Sequence, residues 1–288
     1  MFVDELGHAE STFPRGIRNP SLCVSKGKRG KFACLSANET PALDWFIPDA
    51  CQYFPRYNYT KSGERVDNIT DWAVVQFLAH YGKQAQISKD AIFAYCYTVL
   101  HDPLYREKYA LNLKREFPRI PFYPDIDQWV EWCEALLKLH IDYEKVKPAK
   151  LNRVDTPAPK RASGTHPKPK LKSNLEAASI VIDEDTQLTG VPVQAWDYRL
   201  GNRSAIDWVL DQHKEKTPRD PTIREKFNTY RFAEYKESCI ELLSRVVSVS
   251  VETVAITEAM TQCVTRCCVL YHLFGLLTLS IRVLKNSD

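Results

Sequence analysis

The sequence predicts an α+β fold whose first half is rich in helices. Four segments between about residues 70 and 145 place apolar residues at helical spacing. Short runs at about 20–36 and 178–195 alternate apolar and polar residues instead, which predicts β-hairpins. A long helix is expected near the C-terminus, and 288 residues are enough for one large or two modest domains.

The first predicted hairpin, PSLCVSKGKRGKFACLS at 20–36, turns at a glycine-containing run of cations. Its tip would carry Lys26, Lys28, Arg29 and Lys31. These side chains are candidates for contact with the phosphates of a nucleic acid. The alternative is a solvated turn, because charged residues favour exposed positions in any protein.

Each of the four predicted helices follows a residue that can cap its first turn. Gly82 can end the first helix. Pro103 suits the first position of the third helix, and Pro118 would stop that helix near Phe117. The predicted N-caps are Thr70, Ser88, Asp102 and, for the fourth helix, Asp125 or Asp127.

Residues 148–173 differ in composition from the rest of the chain. From 145 to 172 there are nine Lys or Arg, one Asp and five Pro. Such a run is expected to be an extended, poorly packed connection. It carries a net charge of +8 while the whole chain carries +3, so the remainder is net −5.

The second half is predicted to open with strands and to close with helices. ASIVIDEDTQLTGVPVQAW at 178–196 has the pattern of strands joined by turns, and the acidic turn from Asp183 is expected to be solvated. Ser204 or Asn202 can cap a short helix. The last long helix is predicted at roughly 231–247.

The cysteines and the two ends of the sequence bear on the compartment. Nine scattered Cys, and a start (MFVDELGHAEST) without an apolar core, favour free thiols in a reducing cytoplasm. The Cys- and Leu-rich tail holds the one candidate membrane segment, 263–284. Arg266, His272 and Arg282 interrupt this segment, so a membrane partner is not expected.

Motifs that carry catalysis are missing from the sequence. There is no G-x-x-x-x-G-K-[ST] phosphate loop, no G-x-G-x-x-G after a strand, and no G-x-S-x-G elbow. The CVTRCC run at 263–268 lacks the spacing of a zinc site. His80 and His140 lie near helix ends, where a structural role is the simpler interpretation. We therefore predict no catalytic residues, no metal and no cofactor.

The stretch LHDPLYREKYALNLKREFPRIPF at 100–122 interleaves cations with aromatic residues. On a helix its Arg side chains could grip phosphate or guanine, and Tyr105 and Tyr109 could donate to phosphate. Alternatively, Glu107 and Glu116 offset the charge and the two tyrosines belong to the core. The candidate DNA contacts here are Arg106, Lys114, Arg115 and, on the rigid PRIP exit, Arg119.

A second candidate site lies in WDYRLGNRSAIDW at 196–208. Gly201 allows a left-handed turn, and Arg203 beside a helix that starts at Ser204 would form an anion-binding corner. The alternative is that Arg203 braces the loop against a carboxylate such as Asp197. Sequence alone leaves both interpretations open.

Four segments, taken in order, resemble one known family. They are CQYFPRYNY with NITDWAVVQFLAHYG, FAYCYTVLHDPLYREKYALNLKREFPRIPF, DYRLGNRSAIDWVLDQHKEKT, and LLSRVVSVSVETV. They resemble the C-terminal specificity domain of Type ISP restriction-modification enzymes over roughly residues 20–257. In that family one polypeptide joins a nuclease, a helicase-like ATPase, an adenine-N6 methyltransferase and this target-recognition domain.

The resemblance implies a DNA-recognition module of a phage-defence system that reads a short asymmetric duplex site. Catalysis would lie in nuclease, ATPase and methyltransferase parts that this sequence lacks, acting in cis or in trans. The implied division is an N-terminal extension (1–19), a first part (20–147), the basic connection (148–173), a second part (174–257) and a divergent hydrophobic tail (258–288).

Two other functions remain open on sequence alone. The chain could be a truncated, non-catalytic remnant that acts as a protein-interaction domain, because the tail after about Glu258 no longer resembles the family. It could also be a protein tethered to a membrane through 263–284. Neither alternative has a motif of its own in the sequence.

Overall fold

The computed structural model describes residues 16–25, 30–41, 45–46, 50–156, 165–217, 219–227, 230–271 and 278–280. The chain divides into two compact units. The first unit is Met1–Asp142 with Ala255–Asp288, and the second is Tyr143–Val254. The finer division into five segments stays a prediction.

The elements confirm an α+β fold with a helix-rich first half, two hairpins and a long C-terminal helix. In the described part of the chain the helices are α1 (Asp71–Tyr81), α2 (Lys89–Val99), α3 (Pro103–Lys108), α4 (Ala110–Leu113), α5 (Ile126–Ile141), α6 (Ala205–Gln212), α7 (Pro221–Phe227) and α8 (Phe232–Tyr271). Short 3-10 helices lie at Tyr143–Lys145 and Val193–Trp196.

The strands are short and pair antiparallel wherever they pair. In chain order they are β1 (Ser21–Ser25), β2 (Cys34–Ala37), β3 (Cys51–Pro55), β4 (Tyr57–Tyr59), β5 (Arg65–Asp67), β6 (Arg119–Pro121), β7 (Asn152–Asp155), β8 (Pro169–Asn174), β9 (Ser179–Asp183), β10 (Thr186–Thr189), β11 (Arg199–Leu200), β12 (Arg203–Ser204) and β13 (Thr278–Ser280).

The first unit is built around a three-stranded sheet in the order β2-β1-β3. The β1–β2 pair is the predicted first hairpin, with Ser21 opposite Ala37 and Val24 opposite Cys34. All five residues of β1 are buried. Leu22 and Val24 belong to the core cluster that contains α2, whereas Cys23 packs in a second cluster with Phe46 and Cys51. The strands β4 and β5 form a separate two-stranded hairpin, and β6 pairs with β13.

Local capping fixes the helices of the first unit as predicted. The Thr70 side chain accepts from the Ala73 amide, and Gly82 ends α1 with a φ of 100°. Equivalent caps start α2, α3 and α5 at Ser88, Asp102 and Asp125. The helix α2 is buried from Ile92 to Val99 and is the centre of the apolar core.

The prediction of one helix from Pro103 to about Phe117 is wrong. The chain leaves helical geometry at Tyr109, with φ −105° and ψ 18°, and α4 ends at Leu113. Phe117 packs edge-on against Phe54 of the sheet, with ring centroids 5.7 Å apart. A continued helix would not turn this ring into the core, so packing overrides the local helical preference.

The C-terminal helix continues well beyond the predicted end at 247. Apolar positions of α8 stay buried at helical spacing through Val254, Met260 and Val264. Hydroxyl groups inside the helix bond back one turn, as Ser250 Oγ does to the Val246 carbonyl at 2.7 Å. Met260 and Val264 belong to the core of the first unit, so part of the predicted divergent tail packs as ordinary core.

The second unit holds a four-stranded sheet in the order β7-β10-β9-β8. The β9–β10 pair is the predicted second hairpin. Two strands, β7 and β8, come from the basic segment 148–173, and these parts of it are extended as expected but hydrogen-bonded into the sheet. Most of their side chains are exposed, and Leu171 is the buried exception.

In the acidic turn of the second hairpin Glu184 is exposed, as expected, whereas Asp183 is not solvated. Asp183 is 3% exposed, and its carboxylate accepts from the amides of Asp185 and Thr186 at 2.9 and 2.8 Å. Lys236 of α8 completes the site with an ion pair to Asp183 at 2.7 Å. A buried carboxylate needs such partners, so this pair joins α8 to the sheet.

Replacing Met260 by Ala should lower the free energy of unfolding by about 2–5 kcal/mol, because Met260 is fully buried and the truncation leaves a cavity. Urea denaturation followed by circular dichroism measures this change. The matched control is Glu258→Ala, an exposed position in the same helix, which should change stability by less than about 0.5 kcal/mol. Equal effects of the two variants would contradict the packing of the tail.

Candidate nucleic-acid interface

Seven of the ten candidate DNA contacts lie in the part of the chain that the structure describes. Lys26, Lys28 and Arg29 of the hairpin tip lie outside the described residues. The first unit holds Lys31, Arg106, Lys114, Arg115 and Arg119, and the second unit holds Arg203 and Ser204.

Lys114 and Arg115 lie on an exposed turn that follows α4. The Asn112 carbonyl accepts from the amides of Arg115 and Glu116 at 2.9 and 2.8 Å, which fixes the turn. Within the described residues neither Lys114 nor Arg115 forms an ion pair, so both charges face solvent. These side chains can therefore meet an anion without first losing a partner.

The exposed turn lies close to the first hairpin. A cavity of about 180 Å³ is lined by Ser25, Phe32 and Gln52 of the sheet region and by Lys114 and Arg115 of the turn. Ser25 precedes the hairpin tip, and Lys31 is the chain neighbour of Phe32. The fold therefore brings Lys31, the described member of the hairpin group, into the same region of the first unit as Lys114 and Arg115.

Arg119 lies on β6, close to the same turn. A cavity of about 220 Å³ is lined by Tyr105, Tyr109, Asn112, Glu116 and Arg119, among others. The guanidinium of Arg119 pairs with the Glu116 carboxylate at 2.8 Å, and both side chains are more than half exposed. Exposed ion pairs of this kind contribute little to stability. A phosphate could therefore replace the Glu116 carboxylate as the partner of Arg119.

Arg106 points inward, unlike the exposed side chain that the sequence predicts. Its Nε donates to the Leu100 carbonyl at 2.5 Å, and its guanidinium carbon lies 5.7 Å from the Phe32 ring centroid. Burial and, to a smaller extent, the charge of Arg106 together lower the pKa of His140 to about 3. The same two causes lower the pKa of His101. This geometry favours a packing role.

The buried histidines have a structural role, as the sequence suggested for His140. The Tyr97 hydroxyl and His140 Nδ1 are hydrogen-bonded at 2.6 Å. The His101 Nδ1 lies 2.8 Å from the carbonyl of Tyr97. Both rings therefore join α2 to its neighbours in the core as neutral groups.

This pair makes the fold sensitive to acid. The folded pKa values of both histidines lie below the ordinary value of 6.5. Below about pH 6.5 the unfolded chain therefore binds protons that the folded chain does not, and for His140 this window extends down to about pH 3. The free energy of unfolding that depends on these two histidines is fully present above about pH 6.5. It decreases at lower pH by about 1 kcal/mol per pH unit for each histidine.

Urea unfolding between pH 7.5 and 5 measures the slope, and His140→Asn should reduce it by the share of one histidine. A slope that the variant leaves unchanged would contradict the assignment to His140.

Arg203 is braced by a carboxylate, although not by Asp197. Its Nη1 lies 2.7 Å from Asp211 Oδ2, and Lys214 pairs with the same carboxylate at 3.1 Å. These two cations lower the pKa of Asp211. With Lys172 they line an open cavity of about 470 Å³ in the second unit. The corner is basic, but its charge is partly neutralised.

Ser204 caps α6, one of the two residues predicted for this role. Its Oγ accepts from the Asp207 amide at 3.1 Å and donates to Asp207 Oδ2 at 2.7 Å. The other carboxylate oxygen of Asp207 accepts from Ser173 Oγ at 2.5 Å. The carboxylate of Asp207 therefore already occupies the start of this helix, which is the position where a bound anion was one of the two interpretations of the sequence.

The substitution Ser204→Ala should destabilise the chain by about 1 kcal/mol, because Ser204 is fully buried and its capping bonds are lost. Thermal unfolding measures the change. Ser204→Thr keeps the hydroxyl and is the matched control, with a smaller loss expected. A Ser204→Ala variant as stable as the parent would contradict the capping role.

The β4–β5 hairpin carries two cations that the sequence reasoning missed. Lys61 lies in its loop and Arg65 on β5, and both are exposed. The available signal was the segment RYNYTKSGERVD, in which two short runs rich in aromatic and β-branched residues flank a glycine turn.

Potential metal ligands do not cluster in the part of the chain that the structure describes, where no group of three or more His, Cys, Asp or Glu could hold an ion. Among the cysteines whose side chains the structure describes, Cys23, Cys34, Cys51, Cys96, Cys133, Cys239 and Cys263 are free, and all of these but Cys263 are buried. Within the same residues, no helix is both long enough and apolar enough to span a membrane.

Comparison with known proteins identifies the family. The model of the Type ISP C-terminal specificity domain matches residues 5–242. The chain belongs to this family. The resemblance carried by the four sequence segments is therefore confirmed, and a search of curated proteins finds no match.

Solved structures similar to this specificity domain are parts of much longer chains. The cryo-EM structure of a DrdV–DNA complex is 46% identical with a TM-score of 0.80, and covers 86% of this chain and 25% of its own. A nuclease-deletion mutant of the Type ISP enzyme LlaGI with a DNA substrate mimic is 26% identical, with a TM-score of 0.65 over 87% of this chain and 22% of its own.

A third structure is the ATP-dependent Type ISP enzyme LlaBIII bound to DNA. It is 19% identical with a TM-score of 0.66, covering 88% of this chain and 17% of its own. At this identity the likeness concerns the fold alone. The chain thus spans a quarter or less of the length of these three proteins.

Proposed function

We propose that this specificity domain recognises DNA sequence for a Type ISP-like restriction-modification system by binding a short asymmetric duplex site. The observation that carries the proposal is the 46% identity, over 86% of the chain, to a protein whose structure is a DNA complex. The family match over residues 5–242 points in the same direction.

The exposed cations of the first unit support contact with the DNA backbone. Lys114 and Arg115 are unpaired within the described residues, and Arg119 is held only by an exposed carboxylate. Phosphate contacts by such side chains supply most of the affinity and make it depend on salt. The proposed contacts of this region are Lys31, Lys114, Arg115 and Arg119, with Lys26, Lys28 and Arg29 of the hairpin tip.

In the second unit, Arg203 is proposed as a further contact. The cavity that it lines also contains Lys172 and Lys214, so a phosphate there would meet three cations beside Asp211. Ser204 and Arg106 would act indirectly, since Ser204 caps α6 and Arg106 packs against Phe32 and the buried histidines.

Catalysis is proposed to lie outside this domain. The nuclease, ATPase and methyltransferase parts would act on the same DNA, in cis or in trans. That the chain matches 25% or less of each relative supports this division of labour. Duplex DNA as the partner, together with free thiols, favours a cytoplasmic location.

The test is selection of bound duplexes from a random-sequence pool, followed by sequencing and by fluorescence anisotropy at two salt concentrations. Enrichment of one short asymmetric motif, with affinity falling as salt rises, is the expected result. If no motif is enriched, this chain alone does not recognise sequence, and the remnant interpretation would replace the proposal.

Lys114→Ala and Arg115→Ala should each weaken binding to all duplexes alike, because phosphate contacts carry no sequence information. The slope of log affinity against log salt should become shallower by about 0.9 for each phosphate that the variant no longer neutralises. The matched control is Lys138→Ala, an exposed lysine on α5 that forms no ion pair within the described residues. Slopes that match the parent in both variants would remove this turn from the interface.

A further inference from the structure

The β4–β5 hairpin is a two-stranded ribbon that no other strand of the described chain joins. Tyr57 pairs with Asp67, and Tyr59 pairs with Arg65. Every residue from Thr60 to Asp67 is exposed. The ribbon therefore presents its loop and its second strand to solvent within the first unit.

The base of this ribbon is held rigidly. Asn19 bonds the backbone of Tyr57 on both sides, accepting from its amide at 3.1 Å and donating to its carbonyl at 2.7 Å. The Arg56 amide donates to the Pro20 carbonyl at 2.8 Å. At the far strand, the Asn68 side chain donates to the Pro55 carbonyl at 2.8 Å. Both strands thus leave the core at fixed points.

The loop of the ribbon is ordered by its own hydrogen bonds. The Thr60 and Gly63 backbones close it, with Thr60 N donating to the Glu64 carbonyl and Gly63 N to the Thr60 carbonyl, each at 2.9 Å. The Thr60 hydroxyl accepts from the Glu64 amide at 3.1 Å and bonds Ser62 Oγ at 2.7 Å. Lys61 is therefore displayed on a defined turn.

Arg65 is held over an aromatic ring. Its guanidinium carbon lies 4.4 Å from the centroid of the Tyr57 ring. The same ring is held by Arg56, whose guanidinium carbon lies 4.2 Å from the centroid. Arg56 is in turn fixed by ion pairs to Asp67 at 2.7 Å and Asp90 at 2.6 Å. Contact with a ring face leaves the N–H donors of Arg65 available.

The charges around Arg65 do not neutralise it. Asp67 is already paired with Arg56 and Lys89. The remaining carboxylate of the ribbon, Glu64, forms no ion pair within the described residues. Neither Arg65 nor Lys61 forms one in that part of the chain either. The ribbon thus displays two available cations on a rigid frame.

We propose that the β4–β5 ribbon enters the major groove of the DNA, where Arg65 donates a bidentate pair of hydrogen bonds. This inference rests on the proposed function. The major groove of B-DNA admits a two-stranded ribbon. A guanidinium held in place loses little freedom on binding, so it suits a planar pair of acceptors, either the O6 and N7 edge of guanine or two phosphate oxygens.

The test compares variants of the full 288-residue chain for binding to the selected duplex and to random duplex. Arg65→Ala should weaken binding to the selected duplex about 10-fold or more. Arg219→Ala replaces another exposed arginine that forms no ion pair within the described residues, and should bind as the parent does. Thermal unfolding confirms that each variant is folded.

Arg65→Lys separates the two sources of acceptors. If it discriminates as poorly as Arg65→Ala between selected and random duplexes, the acceptor is a guanine edge. If it discriminates as the parent does but binds both duplexes more weakly, the acceptor is a pair of phosphate oxygens, because phosphate contacts carry no sequence information and a lysine replaces the charge but not the fork. Either of these results supports the ribbon as a DNA contact, whereas affinity equal to that of the parent for both duplexes would contradict the bidentate pair.

Substitutions of Tyr57 test whether its ring positions Arg65 for DNA binding. Tyr57→Phe keeps the ring, and its affinity for the selected duplex should lie within about twofold of that of the parent. Tyr57→Ala removes the ring and should weaken binding to the selected duplex nearly as much as Arg65→Ala does. If the parent chain binds DNA and the Arg65→Ala variant binds it with the same affinity and specificity, this inference is wrong but the proposed function stands. A parent that binds no duplex overturns the proposed function and this inference together.

Discussion

The buried guanidinium of Arg56 is the constraint on which the geometry of the first unit depends. It is 5% exposed and lies between β3 and β4, where it pairs with Asp67 of the hairpin and with Asp90 of α2. A buried charge that loses a partner is strongly destabilising. The sheet, the ribbon and the start of α2 are therefore held in one arrangement, and the Tyr57 ring is positioned as a consequence.

The starts of the helices could be predicted from the sequence because the hydrogen bonds that fix them are local. Thr70, Ser88 and Asp102 start helices through bonds to amides two or three residues away. The break at Tyr109 has a distant cause, the contact of Phe117 with Phe54. Nothing within a turn of Tyr109 announces that contact, so the predicted helix is too long.

The candidate interface was predictable only as a set of charges. Sequence shows where cations are frequent, but their partners come from the fold: Arg203 pairs with Asp211 rather than Asp197, and Arg106 turns toward the core. Arg65 was overlooked for the opposite reason. A single arginine beside Glu64 has no distinctive pattern until the hairpin register brings it over the Tyr57 ring.

The two proposed groups of contacts differ in how firmly they are held, and this difference assigns them different tasks. Lys114 and Arg115 extend from a turn without an aromatic support among the described residues, and such side chains adapt to phosphates of any sequence. Arg65 is supported by a ring that Arg56 fixes in turn. Discrimination between bases needs donors at defined positions, whereas attraction to a phosphate backbone does not. Affinity is therefore expected to reside mainly in the turn, and specificity in the ribbon where the acceptor of Arg65 is a guanine edge.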